Sequence, residues 1–192
     1  MRPLTCVFFL LLPLIPSMCV CSTLEDTCKS FAAGHPSIGY NYCVKTFRAD
    51  NGSAGADARG LAAIAARIAG AAANGTAGRI AALMRASESE EDARRRERLG
   101  VCAEVYSDAV EQLGEAAKDI EEGGATAQDA VITRLSAALD AAGTCEDAFG
   151  EADDTSPLAA EDAEFTKLAT IALAVAASLA RPASVSRPRI SD

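Results

Sequence analysis

The sequence predicts an all-α protein: an up-down-up-down bundle of four helices preceded by a short, disulfide-linked helical hairpin. The first observation is composition, because 42 of the 192 residues are alanine and only 5% are aromatic. Alanine is the strongest helix former and is rare in strands, which argues against a β-sandwich or a barrel. The second observation is a repeat of apolar residues at steps of three and four along four long segments, the spacing of one helix face. The third is the short loops between these segments, which make consecutive helices antiparallel neighbours.

Residues 1–22 have the three parts of a secretory signal peptide. Arg2 supplies the positive start, residues 4–15 are mostly apolar, and cleavage fits best after Cys21 or Ser22. The apolar run is too short, and too interrupted by prolines, to span a membrane. We therefore expect a secreted, extracellular protein with no membrane span. Two glycosylation sequons fit that compartment: Asn51-Gly-Ser53 and Asn74-Gly-Thr76.

The cysteines are expected to form disulfides. Of the seven in the chain, removal of the leader would leave four in an oxidising compartment: Cys28, Cys43, Cys102 and Cys145. Four cysteines permit three pairings, and the sequence alone does not choose among them. Spacing favours Cys28–Cys43, since the 14 residues between them suit two short helices that meet across a turn. Cys102–Cys145 would then join two longer helices. A zinc site is not expected, because the chain has one histidine and no C-x-x-C after the leader.

The hairpin is predicted over residues 23–50. Thr23-x-x-Asp26 is a capping box that starts the first short helix. Gly34-His35-Pro36 ends that helix, because proline disfavours the helical conformation in the residue before it. The second short helix is expected to run to about residue 49. His35 is expected to be exposed in the turn, with no special role.

The four-helix bundle is predicted over residues 55–181. Its second helix is the most regular, since the step of three and four is kept throughout Leu99, Cys102, Tyr106, Ala109, Leu113, Ala116 and Ile120. The first helix carries Leu61, Ile64, Ile68, Ala72, Ile80 and Leu83, and the third carries Ile132, Leu135, Leu139, Ala142 and Phe149. The fourth, started by Ser156-Pro157, carries Leu158, Phe165, Leu168, Ala172, Val175 and Leu179. Residues 182–192 have no periodic pattern and are expected to be a disordered tail.

The sequence contains little that predicts catalysis. The net charge of −9, without a dense basic patch, argues against binding to nucleic acid or to an anionic membrane. No glycine-rich phosphate loop precedes a helix, no H-E-x-x-H occurs, and Ser–His chemistry would depend on the turn residue His35. Catalysis by a carboxylate needs a dry pocket that raises its pKa, and no pattern marks one. We therefore expect no enzymatic activity, no metal and no cofactor, but a rigid surface that a partner contacts.

An acidic stripe is predicted on the second bundle helix, opposite its apolar seam: Glu104, Asp108, Glu111 and Glu115. The simpler interpretation is a face that keeps the protein soluble. The alternative is a docking face for a cationic partner protein, in which charge accelerates encounter more than it adds affinity.

These features together resemble the plant invertase and pectin methylesterase inhibitor family, over about residues 24–181. The resemblance is carried by Cys28, Pro36, Cys43 and Cys102, and most specifically by the run Leu135-Ser-Ala-Ala-Leu-Asp-Ala-Ala-Gly-Thr-Cys145-Glu-Asp-Ala-Phe149. The segment from Pro157-Leu158 through Leu168-x-x-Ile171-Ala-Leu173 is similar to the family's last helix. The resemblance implies a helical hairpin before a four-helix bundle. It also implies disulfides from the first cysteine to the second and from the third to the fourth.

The resemblance further implies an apoplastic protein that blocks a secreted carbohydrate-active enzyme through a non-covalent one-to-one complex over the active-site cleft. Pectin methylesterase inhibitors of the family use the faces of bundle helices, whereas invertase inhibitors use a Pro-Lys-Phe motif before the fourth cysteine. Here the corresponding residues 122–130 read Glu-Gly-Gly-Ala-Thr-Ala-Gln-Asp-Ala, without that motif. We therefore expect pectin methylesterase as the target and invertase as the alternative, with the inhibitor a monomer or weak dimer. The expected contact residues are Asp108, Glu111, Glu115, Thr133, Ser136 and Asp140.

Two other classes of function stay open at this stage. A small-ligand carrier would need an internal cavity, which alanine-rich seams could leave. An adaptor with no enzyme target would use the same helical frame.

Overall fold

The computed structural model describes residues 23–86, 90–123, 127–151 and 154–180. Two short helices, α1 (Thr23–Gly34) and α2 (Gly39–Arg48), are followed by a single 3-10 turn at Ser53–Gly55. Four long helices come next: α3 (Ala58–Ala86), α4 (Glu90–Glu122), α5 (Ala127–Gly150) and α6 (Ala159–Leu179). The predicted all-α class is confirmed. The predicted signal peptide at 1–22 and the predicted tail at 182–192 lie outside the described residues. Among the described residues, no helix is long and apolar enough to cross a membrane.

The four long helices form a closed ring. Helix α3 packs on α4, α4 on α5, α5 on α6, and α6 on α3. Because short loops join consecutive helices, neighbours in the ring run antiparallel, as an up-down-up-down bundle requires. The hairpin helices pack on each other and, beyond the hairpin, mainly on α3 and α6. The side of the bundle formed by α4 and α5 therefore faces away from the hairpin.

The predicted apolar seams form the core. Each predicted seam residue of α4 is at most 3% exposed, from Leu99 to Ile120. Several seam residues of the other helices lie at the edge of the core and are partly buried: Ile68, Ala72, Leu83, Ile132, Leu139, Leu168 and Leu179. Much of the interior is alanine, with Ala66, Ala69 and Ala73 of α3 at 0% exposure. Small side chains let helices approach closely, but each contributes less hydrophobic stabilisation than a leucine would.

Both disulfides connect neighbouring helices. Cys28–Cys43 joins α1 to α2, and Cys102–Cys145 joins α4 to α5. This is the pairing that the spacing favoured and the resemblance implied. All four cysteines are 0% exposed, so each bridge lies within the core.

Two local expectations were wrong. His35 is half-buried rather than exposed, because its ring stacks on that of Phe31 with 4.7 Å between the centroids. Helix α6 begins at Ala159 rather than at Pro157, because Leu158 has φ −114° and ψ 2°, outside the helical region. Ser156 does not cap the helix. Its Oγ accepts a hydrogen bond from the Leu158 N–H at 3.1 Å, in a turn that buries Leu158 completely.

Candidate functional site

Helices α4 and α5 leave a shallow groove on the side of the bundle away from the hairpin. The groove has a volume of about 190 Å³ and is lined by Val105, Asp108, Ala109, Gln112, Ala137, Asp140, Ala141 and Thr144. On each helix these residues lie three, four and seven positions after the first, so they occupy the flank that faces the other helix. Ala109 and Ala141 are buried at 1% and 3% exposure. Because neither side chain extends beyond Cβ, the surface between the two helices is concave at this point.

Two of the predicted contact residues lie in this groove. Asp108 lines it from α4 and Asp140 from α5, and both are exposed. Within the described part of the chain, neither carboxylate forms an ion pair, whereas Glu115 and Asp119 further along α4 both pair with Arg134. Their negative charge therefore remains available to a cationic group of a partner.

The other predicted contact residues are placed differently. Glu111 is exposed but does not line the groove, and Ser136 is half-buried and also lies outside it. Thr133 is exposed, and its hydroxyl donates to the Asp129 carbonyl oxygen at 2.9 Å within its own helix. The predicted contact residues are therefore not all brought to one place.

Glu115 is engaged by an arginine of the neighbouring helix. Its Oε2 accepts a hydrogen bond from Arg134 Nε at 2.7 Å, and Arg134 also lies 3.2 Å from Asp119 Oδ2. The hydrogen bond to Glu115 raises the pKa of Arg134 above its usual value. The acidic stripe of α4 is therefore balanced at its C-terminal end and unbalanced around Asp108.

Sequence reasoning missed the apolar and polar neighbours of the two aspartates. Among the described residues, Val101 is the one large hydrophobic residue that is exposed, at 39%. It precedes Val105, Asp108 and Gln112 at steps of four, three and four, so these residues share one flank of α4. These residues form a second row at helical spacing beside the core seam, and that row is visible in the sequence. Sequence reasoning missed it because it chose contact residues mainly by their charge.

A polar cluster lies inside the bundle, with one residue from each long helix: Thr76, Tyr106, Glu146 and Asp162. Tyr106 Oη donates a hydrogen bond to Asp162 Oδ1 at 2.5 Å. Thr76 interacts with the Tyr106 hydroxyl, and Glu146 with the Asp162 carboxyl. Tyr106, Asp162 and Thr76 are 0%, 2% and 4% exposed and are shielded from bulk water, whereas Glu146 is half-buried.

Burial in this cluster raises the pKa of Asp162 to about 7. Desolvation is the largest cause, because an apolar interior disfavours the charged form, and the interaction with Glu146 acts in the same direction. The hydrogen bond from Tyr106 opposes both. Sequence reasoning did not single out this dry environment around Asp162. Asp162 follows Leu158 by four residues and precedes Phe165 by three, a seam position that the sequence contained.

The fold and the groove together define a class of protein: a small, disulfide-linked helical bundle with an open face between two helices. The sequence model described as plant invertase/pectin methylesterase inhibitor matches residues 22–175. The chain is 33% identical over 175 residues to a Platanus acerifolia protein named "Putative invertase inhibitor", covering 88% of this chain and 93% of that one. The chain therefore belongs to the plant invertase/pectin methylesterase inhibitor family.

Two further likenesses agree with this membership. An Actinidia deliciosa protein named pectinesterase inhibitor is 35% identical over 107 residues, covering 56% of this chain and 55% of that one. The fold is similar to the crystal structure of mutant form A of a pectin methylesterase inhibitor from Arabidopsis, with a TM-score of 0.65 at 21% identity. That match covers 84% of this chain and 99% of the other. The predicted resemblance is confirmed, and the family consists of inhibitors.

Proposed function

We propose that this protein is a secreted inhibitor of pectin methylesterase that forms a non-covalent one-to-one complex over the enzyme's active-site cleft. The observation that carries the proposal is the groove between α4 and α5, with Asp108 and Asp140 unpaired on its two sides. Membership of an inhibitor family supports the class of activity. The free carboxylates support a cationic contact on the enzyme, because complementary charge steers encounter.

Inhibition would require the groove to keep its shape. Cys102–Cys145 ties α4 to α5 beside one end of it, three residues before Val105 and next to Thr144, and Arg134 links the same two helices through Glu115. A surface that is rigid before binding loses little conformational entropy on binding. The mechanism is therefore steric occlusion by a preorganised face, with no covalent step.

Secretion is part of the proposal. Residues 1–22 have the features of a signal peptide, and the two disulfides are typical of an oxidising compartment. Asn51 and Asn74 are exposed and stay candidate glycosylation sites.

Invertase is the second candidate target, and a separate observation favours it. The likeness to the Platanus acerifolia protein covers most of both chains, whereas the likeness to the pectinesterase inhibitor covers little more than half of each. Against invertase stands the absence of Pro-Lys-Phe from residues 122–130. We place pectin methylesterase first for that reason.

The test is a titration of the secreted, disulfide-intact protein into a pectin methylesterase assay, with a cell-wall invertase assay run in parallel. We expect stoichiometric loss of esterase activity and no effect on invertase. Loss of invertase activity alone would reverse the order of the two targets. If several isoforms of both enzymes kept full activity, the proposed function would be wrong. The ligand-carrier and adaptor hypotheses would then be the ones to test next.

A further inference from the structure

Two carboxyl groups meet between α5 and α6, and no lysine or arginine among the described residues forms an ion pair with either of them. Glu146 of α5 and Asp162 of α6, hereafter the carboxyl pair, interact through their side chains, with Asp162 2% exposed and Glu146 half-buried. Glu146 Oε1 and Asp162 Oδ2 are both buried, and neither accepts a hydrogen bond from any N–H or O–H group of the described residues. Two carboxyl groups in contact can hydrogen-bond only when one of them holds a proton.

We propose that the Asp162 carboxyl holds a proton toward Glu146 across the contact between α5 and α6, so that the bundle is most stable in acidic medium and loses stability as the pH rises. The inference needs only the fold and does not depend on which enzyme is the target. In this proposal Asp162 makes the stability of the core depend on pH and does not contact the target enzyme.

The groups that surround the carboxyl pair favour a single negative charge. From α4, the Tyr106 hydroxyl donates to Asp162, and from α3, Thr76 interacts with that same hydroxyl. Glu161 of α6 adds a further negative charge nearby, although it lies 3.9 Å from Arg79 Nε of α3. Among the residues that the structure describes, no lysine or arginine forms an ion pair with either member. One tyrosine donor can stabilise one carboxylate, and a second charge would have no partner.

The direction of the pH effect follows from the two states of the chain. Asp162 has a pKa of about 7 in the folded protein and an ordinary value of 3.8 without the fold. The folded state therefore binds the proton more tightly than the unfolded state between these values. Stability from this group is complete below about pH 4 and declines as the pH rises to about 7, where the folded state also loses the proton.

The experiment is urea unfolding of the full secreted protein, with both disulfides intact, at a series of pH values from about 4 to 8. Asp162→Asn keeps the shape of the side chain and removes its titration. Asp147→Asn is the matched control, because Asp147 adjoins Glu146 on α5 but is exposed. Between about pH 4 and pH 7 we expect the folding equilibrium constant of the control to fall relative to that of Asp162→Asn by up to about a thousandfold. Parallel pH profiles for the two variants would overturn the proposal.

A second measurement on the unmodified protein covers the case in which Asp162→Asn does not fold. Infrared spectroscopy distinguishes a protonated carboxyl group from a carboxylate, and exposed side chains are ionised above about pH 5.5. We expect one protonated carboxyl band to persist above that pH and to disappear near pH 7. We expect Glu146→Gln to shift its disappearance to lower pH, since Glu146 raises the pKa of Asp162. The absence of any such band above about pH 5.5 in the folded protein would overturn the proposal.

Discussion

Tyr106 of α4 donates a hydrogen bond of 2.5 Å to Asp162 of α6, and these two helices are diagonal in the bundle rather than adjacent. The bond therefore crosses the centre of the core. The Tyr106 ring also meets the Phe165 ring edge-on, with 5.2 Å between the centroids. A polar contact at the centre of an alanine-rich core restricts how α4 and α6 can rotate relative to each other, because any other rotation buries a carboxyl group without a donor.

Replacement of Tyr106 by phenylalanine should remove this contact with little change in shape. We expect the free energy of unfolding to fall by about 1–3 kcal/mol, because Asp162 Oδ1 loses its donor in a dry environment. The pKa of Asp162 should rise further, since the Tyr106 hydrogen bond lowers it. Urea unfolding checks the first result. Tyr40→Phe is the control, because the Tyr40 hydroxyl makes no hydrogen bond within the described ranges, and equal losses for the two variants would contradict the prediction.

The two disulfides should differ in their contributions to stability and to inhibition. Cys102–Cys145 closes a loop with a sequence separation of 43, and Cys28–Cys43 one of 15. The chain-entropy estimate gives about 4 and about 3 kcal/mol for the two bridges. Replacing Cys102 and Cys145 together by alanine should therefore cost more stability than replacing Cys28 and Cys43.

Inhibition assays on the same two variants separate the groove from the hairpin. Under conditions in which both variants stay folded, loss of the α4–α5 bridge should weaken inhibition, since it releases the walls of the groove. Loss of the hairpin bridge should leave inhibition nearly intact, because the hairpin packs mainly on α3 and α6. A larger loss of inhibition in the hairpin variant would mean that the target enzyme does not bind at the groove between α4 and α5.

Charge reversal in the groove tests the proposed contact. We expect Asp108→Lys and Asp140→Lys each to slow association with the target enzyme by about tenfold at low ionic strength, with the difference shrinking as salt is added. Stopped-flow or surface-binding kinetics measure this rate. Asp26→Lys carries the same change of charge on α1, where the side chain is exposed and distant from the groove, and should have little effect. An equal effect for all three variants would indicate net charge rather than a docking face.

The turn of the hairpin offers a matched pair of glycine substitutions. Gly39 has φ of 80°, a left-handed conformation that strains any residue with a Cβ, so Gly39→Ala should cost about 1 kcal/mol. Gly34 is the last residue of α1, and a Cβ built there would meet nothing within 4 Å. Gly34→Ala should therefore raise stability by about 0.4–1 kcal/mol. Thermal unfolding compares them, and similar shifts in the two variants would show that the turn does not need the left-handed conformation.

The helices and the core seam could be predicted because they depend on local properties of the chain. Whether a residue of α4 faces inward is set by its angle around the helix axis, and the step of three and four from Leu99 to Ile120 fixes that angle. Cysteine spacing favoured the hairpin bridge for a similar reason, since a short loop brings its ends together at little entropic cost. Composition and periodicity were enough to predict the fold class.

The candidate site depended on how the helices are placed against one another. The sequence marked Asp108 and Asp140 as acidic, but only the packing of α4 on α5 brings them to one groove, and only packing pairs Glu115 with Arg134. Asp162 shows the difference most clearly. Its seam position is visible between Leu158 and Phe165, yet its pKa depends on Tyr106 and Glu146, which other helices supply. Periodicity is a property of one helix at a time, whereas pairing, burial and charge balance arise only when four helices meet.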